Sequence, residues 1–242
     1  MSAPLSQILS LTLIPVAATI LGGAFASFRT LSDKTRSFVQ HFAAGVVFAA
    51  VAGELLPEIT KGHQPVGVVI GFVIGVLTML AVRQFAERRE QRDEARPGTG
   101  TVGLLLLVGI DMFIDGLLIG VGFAAGAKVG TLLMVALTLE LLFLGMSVAS
   151  SLGQTGTRRS RSVLTIAGLS LLVIVGALIG GTVAQGLSGL ALEIVLSFGA
   201  AALLFLVTEE LLTEAHEVKE TPLITAAFFA GFVALYLLEL AQ

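Results

Sequence analysis

The sequence contains no cysteine and no asparagine, and only 13% of its 242 residues are charged. The missing thiols exclude disulfides and thiolate metal sites. The scarcity of charge leaves too little polar surface to coat a water-soluble globule. What remains is 55% hydrophobic, with a mean hydropathy of +0.97. This is the composition of an all-α polytopic membrane protein whose first partner is the lipid bilayer. Little chain lies outside the apolar runs, so any activity must reside within the helix bundle. The net charge of -3 gives no reason to expect a nucleic-acid partner.

Crossing about 30 Å of hydrocarbon takes roughly 20 helical residues. Eight runs qualify: Leu5–Phe28, Ser37–Thr60, Pro65–Phe85, Val102–Phe123, Val129–Leu152, Val163–Ala184, Leu190–Leu212 and Pro222–Leu240. The first has no basic segment before it and reads as a retained span rather than a cleaved signal peptide. Basic residues in short connections stay on the cytoplasmic side. The connections after spans 1, 3, 5 and 7 hold twelve Lys and Arg residues, and the other side holds only Lys61 and Lys128. Both termini are therefore expected outside, in a cell membrane such as a bacterial inner membrane. The mixed-charge run from Ala86 to Gly100 reads as a solvated loop.

Collinear matches divide the chain further. Leu11–Gly23 matches Leu169–Gly181, Glu54–Glu58 ("ELLPE") matches Glu210–Glu214 ("ELLTE"), and Pro65 with Gly75 matches Pro222 with Gly231, at offsets between 156 and 158. Spans 1, 2 and 3 thus correspond to spans 6, 7 and 8. Each pair differs by an odd number of crossings, so matched helices run in opposite directions. The expected architecture is a single eight-helix membrane domain over residues 1–242 in a 3+2+3 inverted-repeat arrangement. Its repeats cover about 5–85 and 163–240, around a central pair at about 102–152.

The central pair carries the chemistry. Span 4 contains "DMFIDG" from Asp111 to Gly116 and span 5 contains "ELLFLG" from Glu140 to Gly145, each an acid followed five residues later by glycine. Asp111 and Asp115, four apart, share a helix face. Asp111 lies roughly 14 Å along its helix and Glu140 roughly 17 Å along its antiparallel neighbour, which puts the acids at similar depth. A charge at a helix centre costs about 2.5–3.5 kcal/mol on insertion scales. No Lys, Arg or His occurs at that depth in any span. Protons, a cation or cavity water must therefore supply the missing positive charge. The plain alternative is that the acids carry protons and hydrogen-bond across the bundle.

An oxygen-only donor set suits a hard or borderline divalent cation, with Met112, Thr138 and Ser147 as weak auxiliaries. Towards the membrane surfaces, Glu54 and Glu58 on one side, and His41, Glu209, Glu210, Glu214 and His216 on the other, read as a cation pathway or as interfacial groups reaching headgroup water. His63 reads as a solvated turn residue, and the paired glycines of spans 1 and 6 as close helix-packing points.

With these features the chain resembles the ZIP (Zrt/Irt-like) family of divalent-metal transporters along all eight spans. The likeness rests on "AAGVVFAAVAGELLPE" in span 2, "GAAALLFLVTEELLTEAHE" in span 7 and the acids of spans 4 and 5. The family's span 4 motif, His-Asn-x-Pro-Glu-Gly, falls on Asp111, Met112, Phe113, Ile114, Asp115 and Gly116; the first ligand of its span 5 motif falls on Glu140 and the next on Leu144. The resemblance implies a metal held by Asp111, Asp115 and Glu140. It also implies transport by movement of spans 1, 4, 5 and 6 against a homodimer-forming scaffold of spans 2, 3, 7 and 8. Both kinking prolines are missing, at Ile114 and Phe143, and Leu144 removes a ligand, which favours one metal site over two.

The expected substrate is a divalent cation, with manganese, iron or cobalt better suited than zinc to a site without nitrogen or sulfur ligands. Two other functions fit the same residues: a non-transporting ZIP-fold protein with a structural or regulatory role, and a proton-coupled carrier of an organic cation. No nucleophile and base lie together near the acids, so an enzyme is not expected.

Overall fold

The computed structural model describes residues 5–29, 32–94, 100–219 and 221–241. Eight helices long and apolar enough to span a bilayer lie among them: α1 (Leu5–Phe28), α2 (Asp33–Gly62), α3 (Pro65–Glu94), α4 (Gly100–Ala125), α5 (Ala127–Gln154), α6 (Arg159–Gln185), α7 (Leu190–Ala215) and α8 (Pro222–Leu240). All eight expected spans are present, several with an added turn. One expectation is corrected. Residues 86–94 continue α3 as helix rather than forming a loop. Glu, Arg and Gln are strong helix formers, and mixed charges at helical spacing support one another, so the helix outlasts its apolar stretch. The rest of that expected loop, residues 95–99, lies outside the described residues.

The ends are set by local chemistry. Ser32 Oγ accepts a hydrogen bond from the Thr35 amide at 3.2 Å to start α2. Thr221 does the same for Ile224 at 3.4 Å, with Pro222 in the first turn of α8. His63 takes a left-handed conformation (φ 53°) that ends α2, and its side chain is exposed as expected.

Helix α4 and helix α5 remain regular α-helices throughout, as the absence of proline at Ile114 and Phe143 allows. The irregular backbone lies elsewhere. A π-helical segment, Val51–Leu55, interrupts α2, and another, Leu206–Leu211, interrupts α7. Glu54 lies in the first and Glu209 and Glu210 in the second, and the two segments end 156 residues apart, which is the offset of the matched sequences. Such widened turns recur at functional positions in helices.

Packing falls into two groups. One comprises α4 against α6, α1 against α5 and α6, and α4 against α5; the other comprises α2 against α8 and α3 against α7. Contacts between the groups, chiefly α2 with α5 and α3 with α4, are sparser. Lipid tails are as apolar as the side chains, so close backbone approach rather than hydrophobic burial drives such packing. Glycine provides it. A Cβ on Gly231 of α8 would lie 2.1 Å from the Phe42 carbonyl oxygen of α2, and one on Gly75 of α3 would lie 2.9 Å from the Phe198 carbonyl oxygen of α7. Both members of this contact are displaced by 156 residues. The paired glycines behave likewise: Cβ atoms on Gly22 and Gly180 would lie 2.1 and 2.2 Å from the carbonyl oxygens of Leu142 and Leu117.

Gly231→Val is expected to lower the unfolding temperature in detergent, at a cost of about 1–3 kcal/mol for overpacking. Gly168→Ala, where a Cβ meets nothing within 4 Å, is expected to cause no loss. Circular dichroism on thermal unfolding reads both.

Candidate metal centre

Four residues apart on one face of α4, Asp111 and Asp115 converge with Glu140 of α5. One carboxylate oxygen from each acid lies within 4.8 Å of the other two. Asp115 and Glu140 are 1% and 3% exposed, and Asp111 is half-buried. Asp115 Oδ2 and Glu140 Oε2 are enclosed without a hydrogen bond from any described protein group. Two unit charges 4.8 Å apart repel by roughly 3 kcal/mol at an effective dielectric of about 20. Three charged acids held this close are therefore costly, and either a proton or a cation among them relieves the repulsion.

The nearest charged neighbours add to this field. Glu210 of α7 acts electrostatically on all three acids, and Glu214 acts on Asp111. Glu214 Oε2 accepts a 2.6 Å hydrogen bond from Gln40 Nε2 of α2. Gln40 in turn lines a cavity of about 230 Å³ between α1, α2 and α5, together with Asp33, Arg36 and Ser147. A polar track thus runs from the acids to the end of the bundle that bears the Arg-rich connections.

The other residues expected to contribute are divided between the two ends of the bundle. Glu209, next to Glu210, pairs instead with Arg83 of α3. His41 is buried and meets His216 edge-to-face, with ring centroids 5.1 Å apart. The Nδ1 of each ring faces a carbonyl four residues earlier in its own helix, Ser37 at 2.9 Å for His41 and Leu212 for His216. Glu58 pairs with Lys61 at 2.6 Å at the opposite end. Met112 is fully buried in the apolar core, and Thr138 donates its hydroxyl hydrogen to the Met134 carbonyl at 2.6 Å. Glu54 pairs with Lys128 of α5 at 3.0 Å. The sequence reading missed Gln40, Glu239 and the role of Lys128. Their polarity near helix ends was visible, but the partners lie on three different helices.

A bundle of eight spans with a buried carboxylate cluster defines an integral membrane protein built around charge in its interior. Over 244 aligned residues the chain is 30% identical to Zinc transporter ZIPB of Bordetella bronchiseptica (strain RB50), which covers 93% of this chain and 78% of that protein. The chain belongs to the ZIP family. No protein-family model matches it.

Replacing Glu140 with Met, of similar length and no charge, is expected to raise the unfolding temperature of the metal-free protein by the equivalent of about 1–3 kcal/mol. Differential scanning of protein purified in chelator reads the change. A fall in stability would mean that the carboxylate is satisfied without an ion.

Proposed function

We propose that the chain carries a divalent metal cation across a bacterial cytoplasmic membrane, holding it at Asp111, Asp115 and Glu140 on the way. The observation that supports this most directly is the convergence of three carboxylates within 4.8 Å, two of them with an enclosed and unpartnered oxygen. Kinship to a protein named as a zinc transporter adds independent support. The donor set is oxygen-only, which suits manganese, iron or cobalt as well as zinc. The ion is the cargo, and no catalytic step is part of the reading.

The packing supports a division of labour. Helices α1, α4, α5 and α6 hold the ion and move as a body, and α2, α3, α7 and α8 form the frame, related by an inverted repeat in a single domain. The coincidence of the π-segments and of the Gly75 and Gly231 contacts at one offset favours this repeat. The frame helices α3 and α8 are the least enclosed of the eight, which fits a homodimer through that half. By the positive-inside rule the Arg-rich end faces the cytoplasm, and the start of α1 and the end of α8 face outward. Glu210, Glu214 and Gln40, with the cavity beside Asp33 and Ser147, form the inner route.

A divalent cation at 100 times its dissociation constant is expected to stabilise the purified protein by about 2.7 kcal/mol. Asp115→Ala is expected to abolish that increment, and thermal unfolding with a panel of metal chlorides checks it. Persistence of the increment in the variant would sink the assignment of the site.

Because carboxylates must lose protons to bind metal, apparent affinity is expected to fall as pH is lowered, with proton release on binding. Uptake of Mn²⁺ into proteoliposomes separates a carrier from a protein that binds without transporting.

A further inference from the structure

At the outward end of the bundle, Lys128 reaches from the first turn of α5 to two acids of the frame. Its Nζ lies 3.0 Å from Glu54 Oε1 of α2 and 3.3 Å from Glu239 Oε1 of α8. Glu54 is only 7% exposed, and the Lys128 ammonium is the cation that compensates its buried charge. Space has been kept for this cluster. A Cβ on Gly53 would lie 2.6 Å from Glu239 Oε2. Among the described residues, the ion pairs of Arg83 with Glu209, Arg36 with Glu217 and Lys61 with Glu58 stay inside the frame. Lys128 instead crosses from the helix that carries Glu140 to the helices on which that body would move.

We propose that Glu54 and Glu239 form a second cation site, for a hard or borderline divalent ion, in which the Lys128 ammonium is the resident occupant of this conformation. An arriving divalent cation displaces the ammonium, since it brings twice the charge to the same two carboxylates. The exchange does two things at once. It captures the ion on the outward side, and it cuts the ionic tie between α5 and α2 with α8, so that binding outside loosens the body that bears the central acids. Lys128 and Glu140 are twelve residues apart on one helix, about 18 Å at 1.5 Å per residue, so the outer event acts at the end of the rod and the central one at its middle. This mechanism rests on the carrier reading above, but the site itself does not.

The test uses full-length protein in lipid nanodiscs, in an Asp115→Ala background, with Mn²⁺ binding counted by the loss of the free-ion electron paramagnetic resonance signal. Lys128→Met in that background is expected to add one bound Mn²⁺ per chain or to tighten outer binding at least tenfold. Glu54→Gln is expected to remove the gain, and Lys128→Arg to give none. A Lys128→Met protein that binds no more Mn²⁺ than its Asp115→Ala parent overturns the proposal. A second measurement keeps Lys128 in place and so does not depend on a variant folding. Acylation of Lys128 by an amine-reactive ester, followed by mass spectrometry, is expected to quicken about threefold as Mn²⁺ fills the site. An unchanged rate at saturating Mn²⁺ also overturns it. If Asp115→Ala binds Mn²⁺ as well as the unaltered chain, the central site is wrong, and the comparison between its Lys128 variants still decides the outer one.

Discussion

Negative charge that cannot reach water is the constraint around which this bundle is organised. Asp115 and Glu140 are almost wholly enclosed, and their titratable neighbours, Asp111, Glu210 and Glu214, are acids as well. In a soluble protein such a cluster would be flanked by arginine or opened to solvent. Here the helices carrying it are held too closely to open. Cβ atoms placed on Gly116 and Gly145, which end the two acidic motifs, would lie 2.1 Å and 2.3 Å from carbonyl oxygens of Val173 and Thr19. Those glycines fix α4 to α6 and α5 to α1, and the acids are positioned by backbone contacts that leave little room for relaxation. A fixed set of oxygens without a counter-charge is a costly arrangement empty and a favourable one filled.

The same packing rule explains why the helices fall into two closely packed groups with sparser contact between them. In lipid, helices associate where small residues let backbones meet, and they stay loosely associated where larger or polar side chains intervene. The glycine-to-carbonyl contacts lie within the α1, α4, α5, α6 group and within the α2, α3, α7, α8 group. The Lys128 ion pairs run between the groups, whereas the acid cluster lies on α4 and α5 of the first and the Gln40–Glu214 hydrogen bond joins α2 to α7 within the second. Close backbone contact thus builds each group, and an exchangeable ion pair is among the contacts that join them.

Much of this was legible in the sequence. Uninterrupted apolar runs gave all eight spans, since the bilayer demands a minimum length that few soluble helices meet by chance. The central acids could be found because they break those runs. The offsets linking "ELLPE" to "ELLTE" anticipated a structural correspondence that extends to the π-segments. The segments themselves left no signal, because neither Pro57 nor any glycine after Gly53 marks where a turn widens by one residue. Residues 86–94 misled for the opposite reason: their charge reads as loop, while their helix propensity prevails. Pairings such as Lys128 with Glu54 and Glu239 depend on three helices meeting at one surface, and a linear pattern carries no record of that.

The asymmetry of the field between the two ends gives the proposed route its direction. On that proposal an ion at the central acids is drawn towards the Arg-rich end by Glu210 and Glu214, which among the described residues have no basic partner as close as Lys128 is to Glu54. Arg83 does act on Glu210, yet it pairs with the neighbouring Glu209, so the π-segment of α7 separates one glutamate that is neutralised from one that is not. At the other end, Glu54 already has its counter-ion, and its pull on the central ion is largely cancelled. Two acidic sequences of nearly identical form, 156 residues apart and each in a π-segment and the turn after it, therefore do different electrical work. One is closed by an ammonium and the other is left attractive. The placement of Lys128 and Lys61 at one end and of Arg83 at the other distinguishes the two acidic sequences.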